Sequence, residues 1–355
     1  MLSPGIWRLY LERRVKVPGI DQSRLKIPRV LFVCRKPRPS TSSSFKWGED
    51  AAIRDALARY LSIEEFVLHE PWPDSAALLR GVKTFDAVIW FVRIRDLTGR
   101  PSFDWGGYEG LRILYDWDAC QDFSRIVSGR YLGQWADVFR RHNFDLLVCT
   151  GRRTRDHFRA QGVDAEWIPK AADHEIFQDL GLSREGLCTY GSSYPARQVV
   201  LGYLRQVGIA VAPLSSPQVE LNVALNRHLG GVICNAELYV PLRIAKALVR
   251  ASGGRIPVLA EGPEPMIKNF EVAASGTAPV CDELGELAEL GFIDGSTAVL
   301  YKSLTELHEK LRSLLADPDA LRAIGQNAAK LVQERHTWEA RGAEFASLIR
   351  LRLSG

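Results

Sequence analysis

The stretch LCTYGSSYPARQVVLGYLRQVGIAVAPL, residues 187–214, reads as strand, glycine turn, helix and strand. LCTYG (187–191) is a short apolar run closed by Gly191. A helix follows near 195–206, and GIAVAPL (208–214) returns to a strand. Strands alternating with helices build parallel sheets. At the turn, backbone N–H groups around Gly191 and Ser192 suit an anionic phosphate, and the guanidinium of Arg197 adds a forked donor. The same residues also fit an ordinary turn carrying a surface arginine.

The pattern extends in both directions. RVLFVC (29–34), EEFVL (64–68), FDAVIWFV (85–92), RILYD (112–116), FDLLVC (144–149) and AEWIP (165–169) are near-continuous apolar runs, as strands covered on both faces should be. Helical patterns lie between them at 48–60, 130–141 and 151–161. Downstream, GGVICNA (230–236), ALVRAS (247–252), TAPVC (277–281) and TAVLY (297–301) read as further strands. Helices are expected near 217–229, 303–316, 317–334 and 338–352. The expectation is an α/β protein of two facing, doubly wound Rossmann-like domains with a cleft between them. The segments are a leader or helix (1–28), a first domain (29–170), a linker (171–186), a second domain (187–336) and a closing helix (337–355). Ligands in such sheets bind beyond the C-terminal strand ends.

Bulk properties agree. A chain of 355 residues is too long for one ordinary core, and 46% apolar with 25% charged residues is the balance of a globular protein. A net charge of +4, from 46 basic and 42 acidic residues, lacks the dense basic stripe of a nucleic-acid binder. The six cysteines form no CxxC pair and no metal-type spacing, which fits free thiols and a cytoplasmic setting. No apolar run approaches the roughly 20 residues that span a bilayer. MLSPGIWRLYLERRVKVPG (1–19) mixes aromatic and basic residues; it allows weak peripheral membrane contact or packing on its own protein. Neither GxGxxG nor a P-loop is present.

Three further stretches carry candidate chemistry. GPEPMIKNFEVAASG (262–276) sets Lys268, Asn269 and Glu271 before a small-residue helix; a carboxylate there can accept both hydroxyls of a ribose. LYDWDACQDF (114–123) ends a strand with Asp116 and Asp118. Such a pair can bind a divalent cation, but the two-domain pattern favours acceptor binding or proton handling, without a metal. KPRPSTSSSFKWGED (36–50) follows the first strand and faces the cleft, where Ser44, Lys46 and Trp47 can meet acceptor or phosphate; a plain surface loop is the other reading.

Dispersed motifs then resemble, in order, those of group 1 (family 4-like) glycosyltransferases, above all their CgeB-like branch. They are FDLLVCTGRRTRDHFRAQGVDAEWIPKAADHEIF (144–177), TYGSSYPAR (189–197), NAELYVPLRIAKALVRAS (235–252), KNFEVAASGTAPVCDELGELAELGF (268–292) and the closing helices with His336-Thr337-Trp338. The resemblance implies a GT-B fold and a nucleoside-diphosphate sugar as co-substrate, with no other cofactor. It implies that Glu271 binds the donor ribose and that Arg197 and Lys268 lie near the diphosphate, with Lys246 a weaker candidate. There is one departure: many retaining members carry a second glutamate eight positions earlier, where this chain has Pro263, with Glu261 and Glu264 off register. The expected activity is sugar transfer to an unidentified acceptor, retaining and metal-independent. The alternatives are a GT-B sugar-nucleotide epimerase and a non-catalytic sugar- or nucleotide-binding protein.

Overall fold

The computed structural model describes residues 27–35, 48–68, 82–119, 135–192, 194–215, 218–235, 242–255 and 264–355. Ser44, Lys46, Trp47 and most of the N-terminal leader lie outside the described residues, as do Glu261 and Pro263.

The first domain runs β1 (Arg29–Arg35), α1 (Glu49–Ala58), β2 (Ser62–Leu68), β3 (Ala87–Phe91), β4 (Leu111–Asp116), α2 (Trp135–Arg141), β5 (Leu146–Cys149), α3 (Arg152–Ala160) and β6 (Ala165–Trp167). Its six strands are parallel, in the order β2-β1-β3-β4-β5-β6. β3 and β5 are buried at every position, which is why AVIWF and LLVC show no polar alternation. One core, around Trp90, Phe103 and Trp135, covers one face of the sheet; another, around Phe32, Ile53 and Tyr115, covers the other.

The second domain runs β7 (Leu187–Tyr190), α4 (Pro195–Gln206), β8 (Val211–Leu214), α5 (Gln218–Leu225), β9 (Gly230–Ile233), α6 (Leu242–Ala251), α7 (Ile267–Ala274), β10 (Ala278–Asp282), α8 (Gly285–Glu289), β11 (Val299–Tyr301), α9 (Leu304–Ala316) and α10 (Pro318–Arg335). Its five strands are also parallel, in the order β11-β10-β9-β7-β8. Strand order reverses between β1 and β3 in the first sheet and between β7 and β9 in the second, and the crevice at each reversal is where such sheets take ligands.

One expected strand is a helix. ALVRAS lies in α6, where Ala245 and Val249 are buried with Leu242 and Leu248 packed beside them, while Arg243, Lys246 and Arg250 are exposed. That spacing is the 3.6-residue period of an amphipathic helix, and it overrides the local apolar run.

His336, Thr337 and Trp338 make the return crossing between the domains. His336 ends α10, its Nε2 donating to Leu290 O at 2.7 Å while its Nδ1 accepts from Arg341 Nη2 at 2.6 Å. Burial and the neighbouring Arg341 hold this imidazole well below its ordinary pKa, so it is neutral. Thr337 caps α11 (Trp338–Leu353), its Oγ1 accepting from Ala340 N–H at 3.2 Å. Ala172 pairs with Thr337 in an isolated bridge. α11 then packs on α1 and β4, burying Trp338, Phe345, Ala346 and Ile349 in the first domain's core. The two backbones meet closely at Gly342, where a Cβ would lie 2.6 Å from the Ala56 carbonyl carbon.

Candidate active site

β7 ends with Tyr190, at the strand-order reversal of the second sheet. Gly191 follows with φ +81°, a left-handed conformation that side chains resist. The turn delivers the chain into α4, whose third residue is Arg197. Arg197 Nη1 donates to Tyr190 O at 2.7 Å. From the other side α7 brings Lys268: a Cβ on Gly191 would meet Lys268 Nζ at 2.8 Å and Arg197 Nη1 at 3.9 Å. Two cations, a glycine turn and a helix N-terminus therefore converge, a combination that attracts a diphosphate. Exposed Ser192 continues the turn.

α7 is buried from Lys268 to Ala274. Its start is secured by Asn235, just beyond β9, whose Oδ1 accepts from Met266 N–H at 3.1 Å and from Asn269 Nδ2 at 2.6 Å. Asn269 is thus engaged at the base of the helix. Glu271, one turn on and 7% exposed, accepts a hydrogen bond at Oε2 from the Tyr190 hydroxyl. Burial raises the Glu271 carboxyl above its ordinary value, while Tyr190, Lys268 and Lys170 pull it back towards ionisation. Lys246 is exposed on α6, and no hydrogen bond or ion pair joins it to these residues.

Across the cleft, Asp116 and Asp118 play different parts. Asp116 is fully buried; its Oδ2 accepts from Ile94 N–H at 2.8 Å and its Oδ1 from Asp118 N–H at 3.1 Å. Burial lifts its carboxyl to about 6, opposed by Arg93 and those two N–H groups. Asp116 therefore orders the turn that carries Asp118. Asp118 faces Lys170, whose Nζ lies 2.8 Å from Asp118 Oδ1, 3.1 Å from Glu264 Oε1 and 3.7 Å from Glu49 Oε1.

Glu264 is the residue that register reasoning set aside. It is 3% exposed, and its Oε1 lies 2.9 Å from the Thr150 hydroxyl of the first domain. Burial pushes its carboxyl up to about 8 despite Lys170. Glu49, in the first turn of α1, is raised to about 7 by the same cause. The sequence signal was the glutamate itself, seven positions before Glu271 instead of eight. Among the described residues, no group of three or more His, Cys, Asp and Glu side chains is arranged to hold a metal ion. No helix among them is long and apolar enough to cross a membrane.

Two facing parallel α/β domains with the ligand groups at the carboxyl ends of their strands define the GT-B fold. The chain is similar to sucrose-phosphate synthase from Thermosynechococcus elongatus, at TM-score 0.66 and 12% identity over 92% of this chain and 99% of that one. It is also similar to Anabaena HepE, solved with UDP, at TM-score 0.56 and 13% identity over 91% of this chain and 100% of that one. A third is the trehalose-6-phosphate synthase of Burkholderia multivorans, at TM-score 0.55 and 11% identity over 93% and 99% of the two chains. Residues 210–347, from β8 to the middle of α11, match the family model described as glycosyl transferase-like. No curated protein matches the sequence.

Proposed function

We propose that the chain transfers a sugar from a nucleoside-diphosphate sugar to an acceptor hydroxyl, as a GT-B glycosyltransferase of the CgeB-like branch. The observation that carries this reading is the convergence of Arg197, Lys268 and the Gly191 turn beside Glu271. HepE, solved with UDP-glucose, has the same fold. In this chain Glu271 takes the donor ribose, and Arg197 with Lys268 takes the diphosphate. As the anomeric bond breaks, negative charge grows on the departing diphosphate, and fixed cations at a helix N-terminus stabilise it through preorganised electrostatics. Those two cations supply the charge that a divalent ion would otherwise bring, which supports a metal-independent reaction. In this reading Glu264, buried against Thr150 and Lys170, takes the place of the glutamate that the sequence register lacks, which supports a retaining outcome. Asp118, held by Lys170, is the group that would receive the acceptor proton.

The test is release of nucleoside diphosphate from a panel of sugar nucleotides, with and without acceptors such as simple sugars and sugar alcohols. Acceptor-stimulated release that Glu271→Ala abolishes is the expected result. Interconversion of the sugar nucleotide without transfer would point to an epimerase, and binding without turnover to a non-catalytic protein. Loss of activity in EDTA, restored by manganese, would overturn the metal-independent part.

A further inference from the structure

We propose that Tyr190 is the positioning residue of the donor site, holding all three charged groups that would meet a nucleoside diphosphate. The inference rests on the reading of this cleft as a nucleotide-sugar site. Tyr190 uses a different part of itself for each group. Its carbonyl accepts from Arg197 Nη1 at 2.7 Å, its ring centroid lies 5.7 Å from Lys268 Nζ, and its hydroxyl donates to Glu271 Oε2. The ring contact is at cation–π range, and the phenol–carboxylate bond is charge-assisted. Arg197 comes from α4 and the other two from α7, so the last residue of β7 ties the two helices to one strand end.

The phenol also changes what Glu271 can offer. A carboxylate meeting a vicinal diol alone would use both oxygens. Here Oε2 is already taken by Tyr190, and no other side chain among the described residues hydrogen-bonds the Glu271 carboxylate, the Ser275 hydroxyl reaching only the backbone carbonyl. Oε1 is left for one ribose hydroxyl. The Tyr190 oxygen donates its hydrogen to Glu271 and keeps acceptor lone pairs for the second hydroxyl. Ribose is then read by a carboxylate and a phenol side by side. Burial and the adjacent Glu271 hold the phenol well above its ordinary pKa, so it remains a donor at neutral pH.

The experiment uses the full chain and calorimetric titration with UDP, ADP, GDP and CDP, followed by the 2′-deoxy form and the free nucleoside of whichever binds most tightly. Tyr190→Phe removes the hydroxyl but keeps the ring and the carbonyl. It should weaken the ribonucleotide about tenfold and move the ribose-to-deoxyribose preference towards one, while preserving the preference for diphosphate over nucleoside. Tyr190→Leu, which also loses the ring, should reduce that second preference too. In a Glu271→Ala background, Tyr190→Phe should add little, because the two residues act as one unit. Wild-type affinity and ribose preference in Tyr190→Phe, alongside their loss in Glu271→Ala, would overturn the inference and leave the nucleotide reading standing. Failure of the wild type to bind any of the four nucleotides would remove the nucleotide reading itself. Should Tyr190→Leu unfold, circular dichroism will show it, and Tyr190→Phe still decides the case.

Discussion

Glu271 is the single side chain on which the proposed donor site turns, because it is the carboxylate on α7 held by Tyr190 beside Lys268. Replacing it with alanine removes a charged acceptor, a loss of about 1.5–3 kcal/mol, or roughly 10- to 150-fold in nucleoside-diphosphate affinity. Titration checks this, and an unchanged dissociation constant would end the ribose assignment. Three residues of the proposed donor site, Arg197, Lys268 and Glu271, could be singled out in the sequence because they lie in or beside a glycine turn and a helix start, and the structure brings them together around Tyr190. Glu264 was not. Its partner Thr150 lies 114 residues away, a proximity that only the packing of one domain on the other creates. Asp116 and Asp118 looked equivalent as an Asp-x-Asp pair. Burial separates them: one carboxylate is consumed by backbone N–H groups, and the other is turned towards Lys170.

At the scale of elements, the turn between β7 and α4 does most to place the site. Gly191 combines φ +81° with Lys268 atoms 2.8 Å from where a Cβ would stand. Gly191→Ala must either displace Lys268 or distort the turn, at a cost of about 1–2 kcal/mol for the left-handed backbone alone. The expected outcome is a lower unfolding midpoint in urea together with weaker diphosphate binding, the nucleoside contribution being less affected. Full retention of both would show that the turn relaxes freely. The strands were readable because each is a short, continuous apolar run between helices. α6 misled because its last turn, ALVRAS, is apolar enough to pass for a strand when its upstream half is ignored. Ala245 and Val249, four apart on the buried face, hold the correct period.

On the scale of the whole molecule, two sheets with the same order of their first five strands face one another, and α11 locks the second domain's chain back onto the first. That doubling is visible in the sequence as two strand–helix series, whereas the charge balance between the domains is not. Lys170 is the cation at the centre of Asp118, Glu264 and Glu49, and Glu264 comes from the opposite domain. Burial lifts the Glu264 carboxyl to about 8 and Glu49 to about 7, from an ordinary 4.5. The native protein therefore binds more protons than the unfolded chain between about pH 4.5 and 8. Stability is fully present below the lower value and falls as pH rises through the upper ones. The melting temperature of the wild type should decline from pH 5 to pH 8, by an amount corresponding to several kcal/mol. Glu264→Gln keeps the shape but removes the titration, so its decline should be shallower and its melting temperature at pH 8 higher than that of the wild type. Lys170→Met removes the cation that offsets three carboxylates and should steepen the decline. Melting curves of the three proteins across this range check the argument. Parallel slopes for wild type and Glu264→Gln would mean that Glu264 does not carry a proton in the native protein over this range.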